Sequence, residues 1–214
     1  MALPNDSHVS GGTTFATSLV GGKEYPVGML ADQDGHIQGS LPAWGFVVPP
    51  VAVGAAKVYF DLFNAQAATV LRLRKLFAIV ATDVAVAPTV GVRLDVMRTS
   101  AVGTAGTAFA GPTSASKTAA AFWPFARGNS LPIGVTGRAV PTGGATDQAW
   151  LFPSYIFTEE TAPGAHLAQM FNLLPDMPMD QAIELDNGAG LKVVQGSVAS
   201  VGTIGFFGTF TIES

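Results

Sequence analysis

The chain has 214 residues and a formal net charge of −4, and only 12% of its residues are charged, about half of the ~25% usual in soluble domains. The absence of cysteine excludes disulfides, thiolate catalysis and zinc–sulfur sites together. The acidic balance argues against direct contact with nucleic acid, which takes clustered Lys and Arg. Hydrophobic residues make up 48% of the chain, but 25 Gly and 14 Pro break them into short runs. The longest, over 46–56 and 76–81, fall well short of the ~20 residues that cross a bilayer. Met1-Ala2-Leu3-Pro4-Asn5-Asp6 lacks the basic segment and apolar core of a secretory signal, and neither end carries a lipidation motif. A soluble chain made in a cytosol, with no membrane partner, is the expectation. An isolated globule needs surface charge to stay in solution, whereas one covered by neighbouring subunits does not. Composition therefore points to a non-enzymatic piece of a larger assembly.

Residues 1–50 show no sustained helix or strand period. Gly11-Gly12-Thr13-Thr14 and Gly21-Gly22 punctuate them and Pro49-Pro50 closes them, so an extended N-terminal arm is expected there. Over 51–214 the period becomes two. Val58, Phe60 and Leu62 alternate with Tyr59, Asp61 and Phe63, and Val92, Leu94 and Val96 with Arg93, Asp95 and Met97. Ile204, Phe206, Phe210 and Ile212 share one parity near the C-terminus, with Thr203, Thr209 and Thr211 on the other. Such alternation is the pattern of a half-buried antiparallel strand. Leu71 and Leu73 begin another, but Leu76, Ala78 and Val80 hold the opposite parity, which predicts a β-bulge or change of sheet at Lys75.

Further strands are predicted over 133–140, 149–158, 181–185 and 191–194, the last two joined by the turn Asp186-Asn187-Gly188-Ala189-Gly190. The run 114–122 predicts a short helix capped by Ser114 and stopped by Pro124, and 164–174 is ambiguous. The sum is an all-β chain: an antiparallel two-sheet sandwich, jelly-roll-like, behind its N-terminal arm.

Few residues have the spacing that chemistry requires. His8, His36 and His166 are scattered and form no ligand pair. Asp32-Gln33-Asp34-Gly35 starts like a calcium loop, but residues 36–43 supply none of the remaining ligands, and a β-turn accounts for it better. Glu159 and Glu160 are adjacent and so point to opposite faces of a strand, while Asp176 and Asp180 are a further carboxylate pair. Gly103-Thr104-Ala105-Gly106-Thr107 and Gly143-Gly144 lack the lysine and context of a phosphate loop. Arg72, Arg74 and Lys75 are the basic cluster; Arg72 and Arg74 share one side of a strand, a solvated face or subunit contact. Trp44, Trp123, Trp150 and Tyr155 are core or interface anchors, or alternatively a platform on which sugars stack. No catalytic residue, metal or cofactor is expected.

Several segments carry a resemblance. Lys23-Glu24-Tyr25-Pro26-Val27-Gly28-Met29-Leu30-Ala31-Asp32, followed by Gly35-His36-Ile37, resembles the leader of many tailed-phage virion proteins. Leu73-Arg74-Lys75-Leu76-Phe77-Ala78, Gly91-Val92-Arg93-Leu94-Asp95-Val96-Met97-Arg98 and Gly188-Ala189-Gly190-Leu191-Lys192-Val193 resemble later strands of the same group. The resemblance implies a minor virion component made in the host cytoplasm, above all a capsid decoration (cement) protein on the capsid exterior. Its implied partners are the major capsid protein or other virion subunits, with a homo-oligomer, a trimer foremost, as its own state. A tail or head–tail accessory protein, or a receptor-binding one that takes carbohydrate, is the alternative. On this reading residues 1–50 make the capsid-side contact, with Tyr25, Trp44 and Phe46 as its anchors.

Overall fold

A computed structural model describes residues 7–10, 13–20, 23–26, 43–82, 84–85, 91–111, 119–125, 131, 134–142, 147–157, 159–160, 169–174 and 182–213. The chain divides into two units, Met1–Leu41 and Pro42–Ser214.

In the first unit β1 (Ser7–Ser10), β2 (Thr13–Val20) and β3 (Lys23–Pro26) pair antiparallel in that order. Ser10 lies opposite Thr13 and Val20 opposite Lys23, which leaves two residues between each pair of strands. Both connections are Gly-Gly in sequence, a dipeptide suited to two-residue hairpin loops. These segments therefore pair with one another, where an extended arm was expected.

The second unit contains β4 (Ala43–Ala52), β5 (Val58–Asn64), β6 (Val70–Thr82), β7 (Val84–Ala85), β8 (Gly91–Thr99), β9 (Thr107–Ala108) and β10 (Ala121–Pro124). It continues with β11 (Val135–Ala139), β12 (Asp147–Phe157), β13 (Glu159–Glu160), β14 (Gln169–Asn172), β15 (Ile183–Leu185), β16 (Ala189–Gln195) and β17 (Thr203–Glu213). No helix occurs among the described residues, so the protein is all-β. Two six-stranded antiparallel sheets form a sandwich. Sheet I runs β10-β4-β17-β6-β14, with β15 also on β6, and sheet II runs β12-β8-β16-β5-β11-β9. The short strands β7 and β13 pair in parallel apart from them.

The inner faces meet in an aromatic core. Phe46 and Phe206 of sheet I stand against Phe60 of sheet II, each pair of ring centroids 5.3 Å apart, and Leu62, Leu94 and Val193 are fully buried. Such ring pairs contribute about 0.5–1.5 kcal/mol each beyond their buried area. Gly208 gives Phe46 its space, because a Cβ there would strike the Phe46 ring.

The alternating runs fold as strands close to the predicted bounds, and the parity switch in β6 is a bulge. Thr209 of β17 pairs with Lys75 but Phe210 pairs with Leu73, which leaves Arg74 as the extra residue. Leu71 and Leu73 before it and Leu76 and Ala78 after it all reach the core. A second bulge lies in β5, where Val193 and Val194 of β16 pair with Phe60 and Val58. The intervening Tyr59 turns inward against Phe206, at 5.1 Å.

Other expectations are corrected. Residues 43–50 belong to the sandwich, because β4 spans them between β10 and β17. Pro49 and Pro50 are tolerated within β4: pairing with β10 ends at Val47, and the β17 register shifts beside Gly205. Trp44 and Phe46, expected as anchors for a partner, are completely buried in the core and offer no surface. Their companion Tyr25 sits in β3, and its side chain lies outside the described residues. The predicted helix over 114–122 is not formed at its end, where Ala121 and Phe122 begin β10; residues 112–118 lie outside the described ones.

Candidate functional site

With Trp44 and Phe46 inside, the outer faces of the two sheets are surfaces of the sandwich able to meet another molecule. The Arg74 bulge divides the outer face of sheet I. On one side of it Arg72 makes ion pairs with Glu184 of β15, at 3.2 Å, and Glu213 of β17, at 3.0 Å. Arg74 Nε donates to Thr211 Oγ1 at 3.4 Å. The two arginines of the basic cluster are thus tied to carboxylates and a hydroxyl of their own sheet, while Lys75 is exposed.

Beyond the bulge the same face is mainly apolar, with Lys75, Thr209 and Asn172 as polar members. Trp123, Phe207 and Phe77 form a row of stacked rings across β10, β17 and β6, with centroid spacings of 5.9 and 6.4 Å. All three are partly exposed. The indole lies flat over Gly45 of β4, where a Cβ would come within 2.6 Å of it. Ile79 pairs with Met170 of β14 on this face, and Met170 is 63% exposed. Phe77 and Phe207 were legible in principle, since the parity switch at Lys75 and the position of Phe207 opposite Phe206 both turn them outward.

Across β11, β5 and β16 the outer face of sheet II is polar and internally compensated. Register aligns Arg138 of β11, Asp61 of β5 and Lys192 of β16 side by side. Asp61 is fully buried, and the Gly-rich loop after β8 closes over it, with the Gly103 N–H donating to Oδ2 at 2.8 Å. Arg138 Nη1 donates to Ala105 O in the same loop. Gly106 turns that loop at φ +68°, where a side chain would strike the Ala139 carbonyl. Burial pushes the Asp61 carboxyl above its ordinary value, opposed by the Gly103 hydrogen bond and the charges of Arg138 and Lys192. Lys192 also pairs with Asp147 at the start of β12. The glycine loop therefore caps an internal carboxylate.

Further along this face stands an exposed cluster on β8 and β12. Trp150 pairs with Met97, Pro153 with Asp95 and Tyr155 with Arg93, so Trp150, Pro153 and Tyr155 share the outward side. Asp95 Oδ1 accepts from Arg93 Nε at 2.8 Å and from Trp150 Nε1 at 3.0 Å. The Arg93 guanidinium sits 5.7 Å from the Trp150 ring centroid, and Arg93 lies directly across the strand pair from Tyr155. Trp150 remains 52% exposed and Tyr155 62%. Of the four aromatics singled out in the sequence, this face brings together Trp150 and Tyr155, while Trp123 lies on the other sheet and Trp44 in the core.

Among the described residues no group of three or more His, Asp or Glu could hold a metal ion. His36, His166, Asp32, Asp34, Asp176 and Asp180 lie outside the described residues, as do the side chains of His8, Glu159 and Glu160. No helix among the described residues is long and apolar enough to cross a membrane. Comparison with known protein families, curated proteins and solved structures finds no match.

Proposed function

We propose that the protein is a non-enzymatic structural subunit of a tailed-phage virion, foremost a decoration protein that binds the major capsid protein on the capsid exterior. The observation that carries this reading is the apolar half of the sheet I outer face. Trp123, Phe207 and Phe77 stack there beside Met170, on a chain with 12% charged residues. Protein interfaces are rich in aromatics and Met and poor in Lys, Glu and Asp at their centre. A contact through this half-face places the ion pairs of Arg72 at its rim, where charge sets orientation rather than affinity.

Strand order lends support. In chain order the principal strands β4, β5, β6, β8, β12, β14, β16 and β17 fall in sheets I, II, I, II, II, I, II and I. Such an order reads as a jelly roll, an architecture of capsid and lectin domains among others, so it agrees with the proposal without singling it out. The resemblance of several segments to virion proteins points the same way. A closed homo-oligomer, such as a trimer, would repeat the half-face around one symmetry axis.

The test is quantitative mass spectrometry of purified virions, with and without Trp123→Ala. On the order of hundreds of copies per particle, in step with the major capsid protein, is expected for a decoration subunit. Trp123→Ala should lower that occupancy while leaving the subunit folded. A few copies would move the protein to the tail or a head–tail vertex. Absence from particles overturns the virion reading.

A further inference from the structure

The cluster on β8 and β12 has no part in the proposed capsid contact, since it lies on the other sheet. We infer that Trp150, Tyr155, Arg93 and Asp95 form a binding platform for a neutral oligosaccharide.

The chemistry of the four side chains selects the ligand. A pyranose has apolar C–H faces and a rim of hydroxyls, so it requires exposed aromatic surface with donors and acceptors beside it. Trp150 and Tyr155 supply the surface, each more than half exposed despite its contacts. Arg93 and Asp95 supply the polar groups between them, and their conformations are fixed in advance. One carboxylate oxygen holds both the guanidinium and the indole N–H. Side chains already held in place lose little freedom when a ligand arrives.

The same contacts disfavour other occupants. Single-stranded nucleic acid also stacks on aromatics, but it follows a groove of uncompensated positive charge. Here Arg93 is neutralised by Asp95 at 2.8 Å, on a chain of net charge −4. An organic cation at the Trp150 ring would meet the like charge of Arg93, whose guanidinium lies 5.7 Å from the ring centroid, a penalty a neutral sugar does not bear. A docking peptide strand needs an unbroken edge. β12 is the edge of sheet II, but its pairing with β8 is interrupted by two register shifts, and Pro153 lies within it.

Register also sets the size of the ligand. The positions paired with Trp150 and Tyr155 are Met97 and Arg93, four residues apart on β8. At about 3.3 Å per residue that is roughly 13 Å, longer than one sugar ring, so an oligosaccharide spans the platform where a monosaccharide does not.

The experiment titrates the full chain with hexasaccharides of β-1,4-glucan, α-1,4-glucan and α-mannan, followed by calorimetry and tryptophan fluorescence. Saturable binding of at least one is expected, with glucose and mannose binding at least tenfold more weakly. Trp150→Ala and Tyr155→Ala should each weaken binding tenfold or more with unchanged thermal unfolding, because both side chains are exposed. Trp123→Ala, on the opposite sheet, should bind like the parent. Failure of all three hexasaccharides to bind overturns the proposal. So does binding that survives Trp150→Ala, or a preference for oligogalacturonate or oligo-dT over the neutral sugars. Loss of virion occupancy in Trp123→Ala with sugar binding intact would separate this platform from the capsid contact.

Discussion

The two sheets have six strands each and share one core, yet their outer faces solve opposite problems. Sheet I leaves half of its outer face apolar, with stacked rings and an exposed methionine. Sheet II covers or compensates its charged outer groups: Asp61 under the Gly103 loop, Lys192 against Asp147, Arg93 against Asp95. Beside them it leaves the small aromatic cluster of β12 exposed. A sandwich needs only its inner faces for stability, so the outer faces are available to diverge. Where one stays apolar and the other is neutralised within itself, the apolar one is the better candidate for a large protein contact.

The contrast depends on both faces resting on one core, and removing Phe206 tests that most severely. Its ring touches Tyr59 and Phe60 across the sandwich. Phe206→Ala should cost about 3–5 kcal/mol in urea unfolding, with both sheets lost in a single transition. Two separate transitions would show that the sheets are independent.

Gln195→Ala is the next largest. Gln195 Oε1 accepts from the buried Tyr59 hydroxyl and from Gly54 N–H, and its Nε2 donates to Val198 O at 2.8 Å. Stranding those groups should cost about 1–3 kcal/mol. Gln195→Glu, which keeps an acceptor, should recover part of this at acid pH.

Asp61 sharpens the comparison through pH. Its folded-state pKa is raised above 3.8 by burial, so the folded protein holds the proton more tightly than the unfolded chain. Its contribution therefore favours folding most below 3.8 and weakens as pH rises from there to the raised value. Asp61→Asn keeps an acceptor for Gly103 and removes the titration. Unfolding midpoints measured across acid pH should show that slope in the parent and not in the variant.

The smallest effect concerns the apolar face itself. Gly45→Ala brings a Cβ within 2.6 Å of the Trp123 indole and must displace it. Stability should change by about 1 kcal/mol or less, since the ring is partly exposed. The near-ultraviolet circular dichroism of the tryptophans should change clearly.

Much of the fold was legible where period two runs unbroken. β8 and most of β17 follow their alternation, whereas the bulge in β5 turns Tyr59 inward beside Phe60 and breaks it. The switch between Leu73 and Leu76 located a bulge to within one residue. Legibility failed where tertiary pairing outweighed local preference. Ala121 and Phe122 sit in a helix-like run but pair with Val47 and Phe46 of β4. Pro49-Pro50 looked like a boundary because the register shift that accommodates it depends on Gly205, far along the chain. Trp44 and Phe46 were legible as aromatics, but only the sheet order buries them. Trp150 and Tyr155 stood out likewise, whereas Arg93 and Asp95 joined them only through strand pairing.

One feature of the sheet order bears on how the molecule is made. β17, the last strand of the sandwich to leave the ribosome, lies in the interior of sheet I between β4, the first, and β6. Sheet I therefore cannot close until Thr203–Glu213 emerges, and until then the edges of β4 and β6 are open to pairing with other chains. Contacts this distant in sequence place folding in the slow range, about milliseconds to seconds. A nascent chain stalled before β17 would be the form most in need of a chaperone.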